Sequence, residues 1–171
     1  MANAGIVTGY PDGTFRPNAP ITRAEFAAIA ARFSDVVYNG KCSFSDVLKT
    51  FWGYDKISLA EHLGWITGYP DNTFRPDNDI TRAEAMTLIN RVLERAVEEE
   101  HMLPDMVKWR DNDPDAWYYE AVQKATNSHD YTRLKKVVPG QDFCYEDWVH
   151  IDEVPDWAAL ERSWSDAYDH R

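Results

Sequence analysis

The segment Ile-Thr-Arg-Ala-Glu occupies residues 21–25 and returns at residues 80–84. Each copy follows a near-identical stretch, GYPDGTFRP at 9–17 and GYPDNTFRP at 68–76. Every matched position is displaced by 59 residues, from Gly9 and Gly68 to Glu25 and Glu84. Identity that extends through a turn, a helix start and the spacing between them is an internal repeat. The chain is therefore constrained to fold around two copies of one turn-plus-helix unit.

Thr-x-x-Glu ahead of an apolar periodic run is a capping box. The Thr22 hydroxyl accepts from the Glu25 backbone N–H, and the Glu25 carboxylate accepts from the Thr22 N–H. Thr81 and Glu84 repeat it. The following helices carry Phe26, Ile29, Ala30 and Phe33 in one copy and Ala85, Leu88, Ile89 and Val92 in the other, which predicts one buried face each. Arg23 and Arg82 lack such a structural reason. Each stands in a first helical turn, where a cation opposes the helix dipole. A repeated cation in an electrostatically poor place points to a task, and with the free N–H groups beside it, it makes an anion site.

Gly-Tyr-Pro-Asp-Gly reads as a tight turn, because proline presets φ and aspartate bonds the backbone two residues on. Asn72 takes the place of Gly13 and is the next best residue at positive φ. Asp12, Gly13 and Asp71 thus have a turn role, with ligand contact as the alternative. Thr14-Phe15 and Thr73-Phe74 read as short extended steps with the phenylalanine buried.

At 171 residues the chain is one domain or a short repeat array. Its net charge of −11 argues against nucleic acid and anionic membranes as partners. Seven Trp and nine Tyr suit a sugar-facing surface or half-buried core aromatics. No run reaches the ~20 apolar residues of a membrane span, so no membrane insertion is expected. Residues 1–3 show no secretory signal. The chain opens partway through a repeat, and the expectation is a fragment whose leader lies upstream. Cys42 and Cys144 match no metal spacing, and two free thiols are favoured over a disulfide.

Residues 50–63 are predicted to be a helix, with Trp52, Leu59 and Leu63 on one side and Gly64 as its left-handed terminator. The second capped helix is predicted to run from 82 to about 99, with Arg91, Glu94, Arg95, Glu98 and Glu99 paired along a solvated outer face. A half-repeat follows: Phe44, Asp46, Trp52, Ile57 and Ala60 map onto Trp109, Asp111, Trp117, Val122 and Ala125 at an offset of 65. It predicts a helix over about 115–127 with Tyr118, Ala121, Val122 and Ala125 as its apolar face. Residues 129–150 read as irregular, and 155–161 as a short final helix docked through Trp157 and Trp164.

The order Phe-x-Asp-Val, a tryptophan-bearing helix, Gly-Tyr-Pro-Asp-Gly-Thr-Phe-x-Pro and Ile-Thr-Arg-Ala-Glu resembles the S-layer homology (SLH) repeat of bacterial surface proteins, over about residues 5–127. The resemblance implies a mainly α fold of SLH-type repeats, with a central helix bundle, capped helices and short-turn prongs. It implies a partial repeat 1 over 1–40, a complete repeat 2 over 41–103, and a degenerate repeat 3 with an irregular tail over 104–171. It also implies a non-catalytic anchoring module, extracellular in the bacterial cell wall or S-layer, without cofactor or metal. Its partner would be an anionic, often pyruvylated secondary cell-wall polysaccharide held in grooves between prongs. Carried over residue by residue, Arg23 and Arg82 become the arginines for ligand carboxylates. Asp12, Gly13 and Asp71 become groove residues, and Trp52 and Trp117 become groove aromatics or core. The chain departs from the pattern twice: the first repeat lacks its leading helix, and the third lacks its turn and its Ile-Thr-Arg-Ala-Glu.

Two other readings compete. An enzyme would need paired carboxylates or a nucleophile–base set, but the repeated carboxylates are claimed by caps and turns, and the five histidines share no metal or triad spacing. A structural or protein-binding module is the alternative function, since incomplete repeats leave apolar faces for self-association or for holding another polypeptide. The acidic loops at 71–79 and 111–115 do not follow the EF-hand pattern.

Overall fold

A computed structural model describes residues 10–152 and residue 162. The two repeated helices form where the capping boxes predict: α1 is Arg23–Ala31, and α3, the third helix along the chain, is Arg82–Val92. Thr22 Oγ1 accepts from Glu25 N at 3.2 Å and Glu25 Oε2 from Thr22 N at 2.9 Å. Thr81 and Glu84 match these at 3.2 and 2.9 Å. The buried face of α1 is not the predicted aromatic one. Ala24, Ala27, Ala28, Ala30 and Ala31 are buried, Phe26 and Ile29 are half-buried, and Phe33 is exposed. Small side chains allow close approach to the neighbouring helices, and α1 packs against both α2, Tyr54–His62, and α3.

Helix α2 starts later than the predicted residue 50, and Trp52 lies outside it in a turn, 63% exposed. Its end follows the prediction. Gly64, at φ 68°, donates to Glu61 O at 2.9 Å and Trp65 N to Ala60 O at 2.9 Å, a Schellman closure. Helix α3 closes in the same way at Glu94, φ 55°, with Glu94 N on Arg91 O at 3.0 Å and Arg95 N on Asn90 O at 2.8 Å. It therefore ends well before residue 99, and Glu99–His101 form a separate 3₁₀ turn.

Helix α4, Tyr119–Thr126, lies in the predicted region but buries Tyr119, Gln123 and Lys124, while Ala125 is exposed. Residues 129–150 are not irregular: β1, His129–Val137, and β2, Cys144–Ile151, form an antiparallel hairpin. Its register pairs Tyr131 with Trp148, Arg133 with Glu146 and Val137 with Cys144, with irregularities at Asp130/Tyr131 and between Arg133 and Val137. The mainly α expectation is thus corrected. The described helices have nine, nine, eleven and eight residues and the strands nine and eight, so helix is a minority of the described chain and the architecture is mixed. The predicted helix at 155–161, with Trp157 and Trp164, lies outside the described residues.

The main core joins Ala24, Ala27, Ile57, Ala60, Phe74 and Leu88, beneath the first three helices and the second turn. A smaller cluster, Val97, Met106 and Trp148, seats the hairpin. Among the described residues no helix is long and apolar enough to cross a membrane.

Candidate functional site

The two Gly-Tyr-Pro-Asp stretches close as one kind of turn. Tyr69 N donates to Thr73 O at 2.8 Å and Asn72 N to Tyr69 O at 2.9 Å. The Asp71 carboxylate accepts from Thr73 N at 3.1 Å, the Thr73 hydroxyl at 2.6 Å and Arg75 Nη2 at 3.0 Å. Asp12 does the same with Thr14 N, the Thr14 hydroxyl and Arg16 Nη2 at 3.0, 2.6 and 2.7 Å. These donors, the threonine hydroxyls foremost, hold both carboxyls down at about 2. Gly13 and Asn72 supply the left-handed step at φ 80° and 60°. Arg16 and Arg75 fold over the rings of Tyr10 and Tyr69 at 4.2 and 3.9 Å. The two tyrosine hydroxyls donate to Glu25 and Glu84 at 2.8 Å, which ties each turn to the cap of the helix that follows.

Arg23 is buried at the junction of the repeats, 7% exposed. Its Nε donates to Phe74 O at 2.8 Å, its Nη1 to the Glu84 carboxylate, and its guanidinium lies over the rings of Tyr69 and Phe74 at 4.9 and 4.7 Å. Burial pushes the Glu84 carboxyl up, but the Thr81 N–H, the Tyr69 hydroxyl and Arg23 outweigh it and hold the group below its ordinary range. Arg82, the equivalent residue one repeat on, is exposed, and its side chain has no ion pair or hydrogen bond among the described residues.

Arg23 borders a hollow of about 190 Å³ between the second turn, α3 and the segment ahead of α4, walled also by Trp65, Tyr69, Glu84, Arg91 and Trp117. Arg91 is the cation most available there. It is half-buried, and among the described residues its side chain makes one long hydrogen bond, from Nη1 to Trp65 O at 3.4 Å, and pairs with no carboxylate. Burial draws its pKa down. A second hollow, about 450 Å³, shares Ile66, Thr67, Thr87, Arg91 and Trp117 with the first and extends to the hairpin turn at Val138–Gln141. Gln141 Nε2 fastens that turn to Gly64 O at 3.2 Å.

Of the residues singled out in the sequence, Arg23 and Trp117 meet at the first hollow. Asp12, Gly13 and Asp71 build the turns, Trp52 lies exposed ahead of α2, and Arg82 stands at the outer start of α3; none of these borders either hollow. The charge pattern of the sequence places Arg91 on a solvated face, yet Glu84, Thr87, Leu88 and Arg91 all line the hollow. Their i, i+3, i+4, i+7 spacing is the signal that marks Arg91 as inward-facing.

A second charged assembly fastens the hairpin. Glu146 is fully buried and accepts from Arg95 Nε at 2.9 Å and from Lys124 Nζ, while His129 donates Nδ1–H to Asn127 O at 2.7 Å and takes Lys124 Nζ on Nε2 at 2.7 Å. Burial pushes Glu146 up, but Arg95 and Lys124 hold it at about 2. Burial brings Lys124 down to about 8 against the pull of Glu146, so both charges are present at neutral pH. Glu98, Glu100 and His101 bring ligand atoms within 4.8 Å of one another. Glu98 is engaged by Lys136 at 2.6 Å and His101 by Asp147 at 2.9 Å, so protein groups already occupy that cluster.

The S-layer homology domain family model matches residues 1–27 and 43–86. The chain is 42% identical over 102 residues to cell surface glycoprotein 1 of Acetivibrio thermocellus, covering 53% of this chain and 4% of that protein. It is 38% identical over 138 residues to the cellulosome-anchoring protein of the same organism, covering 77% of this chain and 30% of the relative. It is 36% identical over 94 residues to the surface layer protein of Brevibacillus choshinensis, covering 52% and 8%. The chain thus spans less than a third of the length of each of these relatives. Both capping boxes, α2 and the second turn fall inside the family match, whereas α4 and the hairpin fall outside it. Over residues 1–27 and 43–86, the chain belongs to the S-layer homology domain family.

Proposed function

We propose that the chain is a non-catalytic module that anchors protein at the bacterial cell surface by binding an anionic secondary cell-wall polysaccharide. The observation that carries this reading is Arg91, a half-buried cation that has no carboxylate partner among the described residues, in an aromatic-walled hollow. A polymer carboxylate, such as that of a pyruvyl group, would complete the missing pair. The Arg23–Glu84 contact fixes the adjacent wall, while Trp65, Tyr69 and Trp117 offer faces for a sugar ring. The chain carries −11 overall, so attraction has to be local, within a Debye length of about 8 Å. One charge-assisted bond contributes about 1.5–3 kcal/mol. A repeating polymer raises retention by offering many such units. In this reading residues 1–40, 41–103 and 104–171 are a partial, a complete and a degenerate repeat. The named relatives are surface-layer and anchoring proteins, and this chain takes the same extracellular place.

The test is retention on purified bacterial walls before and after their secondary polysaccharide is stripped. The reading predicts sedimentation with intact walls and release after stripping. Equal sedimentation with both would contradict it, and sugar released by the chain would favour an enzyme.

A further inference from the structure

Inside the chain the first repeat grips the second through a plug and a socket. The socket is the start of α1. Arg23 N donates to Asn78 O at 2.8 Å, Ala24 N to Pro76 O at 3.0 Å, and the Arg23 side chain to Phe74 O and the Glu84 carboxylate. In return Ile80 N donates to Ile21 O at 3.1 Å, and Thr22 and Asp79 form an antiparallel bridge. The plug is the stretch after the second turn, with Phe74 only 1% exposed.

Each half of this contact recurs at the 59-residue offset without its mate. At the start of α3, Arg82 is exposed and unpaired among the described residues, and the N–H groups of Arg82 and Ala83 have no acceptor there. After the first turn, Phe15 is 60% exposed, and the carbonyls of Phe15, Pro17 and Ala19 accept no described hydrogen bond. Glu25 takes the Tyr10 hydroxyl as Glu84 takes that of Tyr69, but no described arginine. The acceptors in the internal contact are backbone carbonyls and a conserved-in-repeat glutamate, so the changes Asp77 to Asn18 and Asn78 to Ala19 between the copies remove none of them. Pro20 replaces Asp79, whose N–H the internal contact does not use.

We propose that the free plug of one molecule, Phe15 to Glu25, docks on the free socket of a second copy at Thr81–Ala83, with Arg82 paired to the partner's Glu25. The charges are complementary, and the internal contact supplies the hydrogen-bond pattern. The interface is head-to-tail, so it joins unlike surfaces and propagates until a ring closes.

Sedimentation velocity of the full chain across a concentration series tests this. The mass is expected to rise above the 19.7 kDa of the single chain as concentration increases. Arg82→Glu disables the socket and Phe15→Ser the plug. Both positions are exposed, and far-UV circular dichroism verifies that the fold is kept. Each variant alone is expected to remain a single chain, because one surface of every contact is missing. Mixed in equal amounts, they are expected to form a 1:1 pair and nothing larger, since one live plug and one live socket remain. A wild-type chain that stays single at every concentration overturns the proposal. So does association that survives either substitution, or variants that fail to pair when mixed.

Discussion

Arg23 and Arg91 border one hollow with different consequences. Arg23 has a carboxylate, a carbonyl and two rings around it. Removing it leaves Glu84 without its cation at the joint between the repeats. Breaking a buried pair from one side costs about 3–5 kcal/mol, so Arg23→Ala is expected to lower the urea midpoint markedly; an unchanged midpoint would deny the joint its structural role. Arg91 has no such partner among the described residues, and its truncation should leave the fold standing. The sequence singles out Arg23 because it is repeated at a cap, a local pattern, and the structure holds it in an internal pair with Glu84. The sequence misplaces Arg91 because the surrounding glutamates offer plausible i, i+3 and i, i+4 partners. The closure of α3 at Glu94 separates Arg91 from them.

Helix ends and the hairpin show why some elements were readable and others were not. Gly64 and Glu94 occupy equivalent left-handed positions at the ends of α2 and α3. Glycine announces that conformation and glutamate does not, so the first end was predicted and the second was missed. The left-handed region costs an L-residue about 1–2 kcal/mol, and Glu94→Gly is expected to stabilise the chain by up to about 1 kcal/mol in a urea titration. Strand β2 hid its period because its inward residues include the charged Glu146 as well as Trp148. The Glu146 carboxyl sits near 2 in the folded chain against an ordinary 4.5. Its contribution to stability is therefore complete above about 4.5 and is lost as pH falls toward 2. Glu25, Glu84, Asp12 and Asp71 are lowered as well and add to the same acid limb. Thermal melts should fall steeply between pH 5 and 2. Glu146→Gln should cost about 3–5 kcal/mol at neutral pH by stranding Lys124 and Arg95, and should flatten that acid limb; an equally steep limb in the variant would place the titration elsewhere.

Across the molecule, the repeat predicted where two turns and two capped helices would form, since each is built from contacts a few residues apart. It did not predict the hollow, whose walls come from three separated stretches around Tyr69, Arg91 and Trp117. Nor did it predict the hairpin that continues the hollow where the third turn is missing. The binding reading rests on Arg91 in that composite space, not on the exposed Arg82. Calorimetric titration of a pyruvylated wall disaccharide into the wild type, Arg91→Ala and Arg82→Ala decides between them. The predicted result is saturable binding that Arg91→Ala weakens by about ten- to a hundredfold, the equivalent of one charge-assisted bond, while Arg82→Ala binds as the wild type does. Full affinity in Arg91→Ala, with the loss confined to Arg82→Ala, would contradict it.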